Sequence, residues 1–189
     1  VQSNINQFGA LAMAGCGSYS KIEGFGFIPV TCFSQALTTF IGQNLGAKEY
    51  DRTKKGALFG TICGIGIAEV IGIAVFFFSP YLIAAFGGDQ KAIEYGIAEA
   101  HTIALFYCLL AFSHCMAAIQ RGAGRSIVPM FVMMLVWCGV RVTYISIVIR
   151  IIPVINVIYW AYPLTWFISS VIFLILFLKT DWIHGLEKQ

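Results

Sequence analysis

Long apolar stretches separated by short polar ones set the pattern of this chain. They run at roughly 12–45, 56–78, 90–121, 127–149 and 153–178, each with few charges. About 20 apolar residues suffice for a helix to cross a bilayer core, and each stretch meets that length. Barrel strands are about 10 residues long and alternate polar with apolar positions. Runs such as IGIAVFFF and SSVIFLILFL do not alternate. Pro29 and Pro163 fall inside the first and fifth stretches and are read as kinks, because neighbouring helices can re-satisfy the freed backbone groups. Pro129 falls in the first turn of the fourth, and the second is expected to stop at Ser79-Pro80. The fold class is therefore all-α: a polytopic transmembrane helical bundle with five full spans. VQSNIN at the start lacks a charged n-region and a cleavage pattern, so it is not a signal peptide. It reads as the tail of a sixth helix, and the chain as a fragment of a larger protein; a short amphipathic start is the alternative.

Composition agrees with the pattern. Charged residues make up 11% of the 189 and hydrophobic ones 59%, with a mean hydropathy of +0.82. A soluble domain carries about 25% charged residues. The scarcity argues against a soluble enzyme, a nucleic-acid partner and a secreted disulfide scaffold. All six cysteines lie inside spans with no CxxC pair, so neither a disulfide nor a metal site is expected, and no cofactor is implied.

Charge placement carries the topology. Lys48, Arg52, Lys54, Lys55, Arg121, Arg125, Lys179 and Lys188 fall on one side, whereas Lys91 and Arg150 fall on the other. That bias puts the KEYDRTKK loop and the C-terminus in the cytoplasm and Val1 to Gly9 near the outer face. Gly56, Gly60, Gly64, Ala68 and Gly72 recur at every fourth residue of the second span. Small residues so spaced let another helix approach closely. Packing within one bundle is the expected use, with homodimerisation the lesser alternative.

Charges at depth mark where function is to be sought, because they are costly in lipid and usually face a cavity or one another. Lys21, Glu23, Glu69 and Arg141 are such residues, and His114 is a titratable fifth. Glu23 with Arg141 and Glu69 with Lys21 are conceivable pairs, which would suit a structural network. Glu23 also precedes Gly24, Gly26 and Pro29, and an acid beside a kinkable stretch suits coupling-ion or substrate binding. Glu99 and His101 are expected at the outer interface. Tyr159, Trp160, Tyr162 and Trp166 read first as an interfacial belt. Phe25, Phe27, Phe33 and Phe40 read as packing or lipid-facing residues. An aromatic cavity with one acid would suit an amphipathic organic cation.

Two motifs resemble a known family. FIGQNLGAKEYDRTKKG, with Gly42, Gln43, Gly46 and Ala47, is similar to the GQ-x-x-GA stretch of the multidrug and toxic compound extrusion (MATE) family. IQRGAGRSIVP, with Arg121, Gly122 and Gly124, is similar to that family's RG-x-G segment. WAYPLTW followed by a charged tail resembles its twelfth helix, and FIP sits where members often have a proline. The resemblance implies that residues 1–189 form one lobe, from the end of the seventh helix through the twelfth, of an inverted-repeat transporter. It implies export of organic cations or drugs from bacterial cells across the plasma membrane by alternating access, coupled to sodium or proton entry. The implied partners are the lipid bilayer, an N-terminal lobe of the same transporter, a small organic cation, and sodium or a proton. Some bacterial members carry coupling acids in the seventh and tenth helices. Most of the seventh is missing here, and the tenth has Leu110 in the acid's place. Arg125 stands where many members have an acid. Glu23 is the residue expected to substitute. A lipid-linked oligosaccharide flippase of related architecture is the alternative, and an enzyme is not expected because no HExxH, GxSxG or His-rich cluster occurs.

Overall fold

A computed structural model describes residues 2–183, and every regular element among them is helical. A short helix over Gln2–Ile5 and a 3-10 turn over Asn6–Phe8 precede five helices long and apolar enough to cross a membrane. These are α1 (Ala10–Gly46), α2 (Tyr50–Ala84), α3 (Gln90–Gly122), α4 (Ile127–Ile151) and α5 (Asn156–Lys179). The most buried helix is α3, which packs on α1, α2 and α5, while α4 leans chiefly on α5. The opening turns fold back on the bundle: Ile5 is buried among Cys16, Ile145, Ile149 and Ile158. Lys188 lies outside the described residues.

Small residues set the closest approaches. A Cβ on Gly15 would land on the carbonyl of Ala92, and one on Gly72 would land on that of Ala104. The rest of the α2 ridge meets Phe40 at Gly56, Leu37 at Gly60 and Cys115 at Gly64. The ridge therefore serves packing within this bundle, against both α1 and α3.

Both family-like motifs are helix ends, at the basic end of the bundle. Gly124 has φ +79°, and around it Gly124 N–H bonds the Arg121 carbonyl while Arg125 N–H bonds that of Gln120. This paired pattern is a Schellman cap, which satisfies carbonyls that the helix end would leave open. The GQ-x-x-GA stretch ends α1 identically, with Lys48 N–H on Leu45 and Glu49 N–H on Asn44, but the left-handed position is Lys48 (φ 59°). The connecting loop thus shrinks to Ala47–Glu49, and Asp51 to Lys55 belong to α2. The two motifs touch: a Cβ on Gly122 would come 2.7 Å from the Thr38 carbonyl oxygen, and one on Gly42 would come 3.4 Å from that of Gly122.

Three local breaks differ from expectation. The second span does not stop at Ser79-Pro80 but continues to Ala84. Proline has no N–H to offer the carbonyl four residues back. Here that carbonyl, on Phe76, is taken by the Ser79 hydroxyl at 3.2 Å and by His101 Nε2 at 3.1 Å. In α3 a 3-10 turn over Ala104–Phe106 interrupts the α-helix. In α4 the segment Met134–Val140 is a π-helix, a form that is often found at functional sites.

Candidate functional site

Between α1, α4 and α5, floored by α3, lies a cavity of about 250 Å3. Its charged lining residues are Glu23 and Arg141, and its walls include Phe27, Leu110, Trp137, Tyr162 and Trp166. Each helix delivers its residues by its own period. On α1, Glu23 and Phe27 are one turn apart. On α4, Trp137 and Arg141 are four residues apart at the C-terminal part of the π-segment. On α5, Tyr162 and Trp166 share the face that turns inward.

Glu23 and Arg141 face one cavity, as expected, but not as a direct ion pair. The Arg141 guanidinium donates to Thr165 Oγ1 from Nε at 3.2 Å and from Nη2 at 2.7 Å. It also lies 4.2 Å from the centre of the Tyr162 ring, a cation–π distance. Held from behind in this way, Arg141 leaves the Glu23 carboxylate facing open space. Leu110 borders both this cavity and a smaller recess beside Glu23, Gly26, Val30 and Tyr107. The acid on α1 and the apolar residue on α3 are therefore neighbours.

His114 sits one layer behind. Its ring packs edge-on against Phe27 at 4.9 Å and Trp137 at 5.4 Å, and its Nε2 is buried without a hydrogen-bond partner. A polar ladder runs beside it: Trp137 Nε1 donates to Ser169 Oγ at 3.2 Å, and Ser113 Oγ lies 2.9 Å from Ser169 Oγ and 3.0 Å from Ser170 Oγ.

The other expected pair does not form. Glu69 Oε2 accepts the Cys108 backbone N–H at 3.1 Å, so Glu69 caps the second half of α3 where the 3-10 turn leaves donors free. Lys21 is exposed, with Nζ 5.2 Å from the centre of the Phe86 ring. Two residues apart on a helix, Lys21 and Glu23 point to different sides, and only Glu23 reaches the cavity. Arg121 reaches from the basic end toward Ser34, with Nη2 3.5 Å from its hydroxyl.

Two further expectations are corrected. Glu99 is not interfacial: it is 3% exposed. The aromatic cluster on α5 is not a belt, for Tyr159 is 0% and Trp166 2% exposed while Trp160, on the opposite face, is 51% exposed. Spacing of three and four residues turns Tyr159, Tyr162 and Trp166 inward together. Sequence reasoning passed over Trp137 and Thr165, and only the spacing of Trp137 to Arg141 could have signalled them. Phe25 is 69% exposed, whereas Phe27 lines the cavity.

Spanning helices around an internal charged and aromatic cavity define a polytopic membrane bundle. The MatE family model matches residues 2–145, and the chain belongs to that family. It is similar to the probable multidrug resistance protein NorM of Thermotoga maritima, 30% identical over 124 residues that cover 66% of this chain and 27% of that protein. The probable multidrug resistance protein YoeA of Bacillus subtilis is 25% identical over 146 residues, covering 75% of this chain and 31% of that protein. The chain thus spans about a third or less of the curated relatives it matches. Among solved structures, the MATE transporter ClbM in complex with Rb+ superposes with a TM-score of 0.88 at 17% identity, over 98% of this chain and 44% of that one. An outward-facing multidrug resistance MATE transporter gives 0.86 at 16% identity, over 100% of this chain and 42% of that one. These two likenesses establish the fold.

Proposed function

We propose that this chain is one lobe of a cation-coupled exporter of amphipathic organic cations, working by alternating access with a second lobe. The lobe would lie in the plasma membrane with its basic end toward the cytoplasm, where the Lys and Arg bias favours it. The carrying observation is Glu23, set in an aromatic cavity with its natural counter-charge, Arg141, tied back to Thr165 and Tyr162. An acid at depth in a kinkable helix can hold either a coupling ion or an organic cation, but not both at full strength. Exchange of sodium or a proton for substrate follows from that competition.

A cavity of about 250 Å3 is smaller than the ~300–1,000 Å3 of drug-sized sites. It suits a cationic head group, with the rest of the substrate held by the other lobe. The flippase reading would need several basic residues around a polyanionic head group. This cavity sets one arginine against one glutamate.

The position of Leu110 beside Glu23 provides the test. In the complete transporter, Glu23→Gln should abolish coupled efflux of a cationic dye. Moving the acid across the recess, as Glu23→Leu with Leu110→Glu, should restore part of it. Full efflux by Glu23→Gln would overturn the reading.

A further inference from the structure

A second buried acid has no part in that cavity. Glu99, in the first half of α3, is 3% exposed, and its Oε2 has no hydrogen-bond partner. The anionic and neutral forms of such a carboxyl make different demands: the anion needs donors on both oxygens, whereas the acid needs one acceptor. Leaving one oxygen unserved in a packed interior is costly, so structures rarely retain it without a use.

The neighbours of Glu99 form a line. Along α1, Cys16, Tyr19 and Glu23 lie at spacings of three and four, on one face; along α3, Glu99, Ile103 and Tyr107 do the same. The close approach at Gly15 and Gly96 presses these two faces together. The Tyr19 and Tyr107 hydroxyls meet at 3.1 Å, and both carboxyls, Glu23 and Glu99, act electrostatically on both hydroxyls. At the other end of the line, Cys16 Sγ lies 3.5 Å from the Tyr159 hydroxyl, which donates to the Tyr95 carbonyl at 3.3 Å. Tyr95 in turn lines a cleft of about 440 Å3, with Lys91, Glu94 and Asn156, at the end opposite the basic loops.

We propose that Glu99 is a second proton-carrying carboxyl of this transporter, joined to Glu23 along the α1–α3 seam by the Tyr19–Tyr107 hydroxyl pair. The inference rests on the cation-coupled reading above and specifies its ion. A proton arriving from the cleft forms the O–H bond on Glu99. Its release gives a proton to one tyrosine oxygen while that tyrosine's own proton passes to the other. The last hydroxyl protonates the Glu23 carboxylate, and rotation of both hydroxyls resets the pair, so each O–H bond broken is matched by one formed. Sodium fits poorly at Glu99, because a hard cation needs several oxygen ligands and the nearest group here is the Cys16 thiol. The titratable groups facing Glu99 are Cys16 and Tyr19 of α1, Tyr107 of its own helix, and Tyr159 and Tyr162 of α5. Those facing Glu23 are Tyr19, Tyr107, Tyr162 and Arg141.

The complete transporter in proteoliposomes tests this with ethidium as substrate. Glu99→Gln should cut pH-gradient-driven ethidium transport at least tenfold while leaving ethidium–ethidium exchange intact, whereas Glu23→Gln should lose both. Glu99→Asp should recover the driven rate, and Tyr19→Phe with Tyr107→Phe should slow it without changing ethidium affinity. Infrared difference spectra across a pH titration give a readout independent of transport, in which Glu99→Gln should remove one protonated-carboxyl band. A wild-type driven rate in Glu99→Gln, an unchanged carboxyl spectrum, or sodium binding that disappears with Glu99 would each overturn the proposal. If the wild-type protein moved no ethidium under any gradient, the exporter reading would fail, while the infrared titration would still decide Glu99.

Discussion

Glu69 Oε2 on α2 accepts the backbone N–H of Cys108 on α3 at 3.1 Å. A side chain of one spanning helix thus caps the restart of another. Glu69→Ala should leave that donor unserved and lower stability by about 1–3 kcal/mol. Glu69→Gln keeps a carbonyl oxygen in place and should cost clearly less. Thermal unfolding of the detergent-solubilised protein compares the two; equal losses would remove the capping role.

Lys48 holds a left-handed conformation, φ 59°, at the end of α1. A side chain there is strained, and glycine is not. Lys48→Gly should raise stability by up to about 1 kcal/mol, while Gly124→Ala, at φ +79°, should lower it by about as much. The opposing signs are readable as shifts in melting temperature of the two variants.

Gly122 and Gly46 separate close packing from mere motif membership. A Cβ on Gly122 would meet the Thr38 carbonyl oxygen at 2.7 Å, whereas one on Gly46 meets nothing within 4 Å. Gly122→Ala should cost about 1–3 kcal/mol by overpacking, and Gly46→Ala should be neutral or better. Yields of folded protein by size-exclusion chromatography would rank them.

Thr165 holds Arg141 away from Glu23 through two hydrogen bonds. Thr165→Val removes the acceptor and frees the guanidinium to pair with Glu23. Dye affinity of the complete transporter should fall about tenfold, equivalent to about 1.4 kcal/mol. Unchanged binding in a fluorescence titration would show that the tether does not matter.

The spans were legible because crossing a bilayer imposes length and apolarity residue by residue. The boundaries fell within a few residues of the helices except around α2, which begins at Tyr50 and passes through Pro80. That continuation depends on His101, a residue of a different helix, and no local pattern contains it. The Glu23–Arg141 cavity was legible as a possibility, since few charges lie at depth. The belt reading of α5 failed because tyrosine and tryptophan suit both an interface and a polar interior, and only the neighbours decide between them.

By itself the sequence determined the class of fold, the end that carries the basic loops and the membership of Glu23 and Arg141 among the residues that matter. Those properties are sums over single residues and their spacing. Tertiary structure decided the partners. It tied Arg141 to Thr165, put Glu69 on the Cys108 amide, buried Glu99 beside Cys16 and turned Trp137 inward from a π-helical segment. Each of these is a meeting between helices, and which faces meet is set by where small residues such as Gly15 and Gly72 allow two backbones to touch.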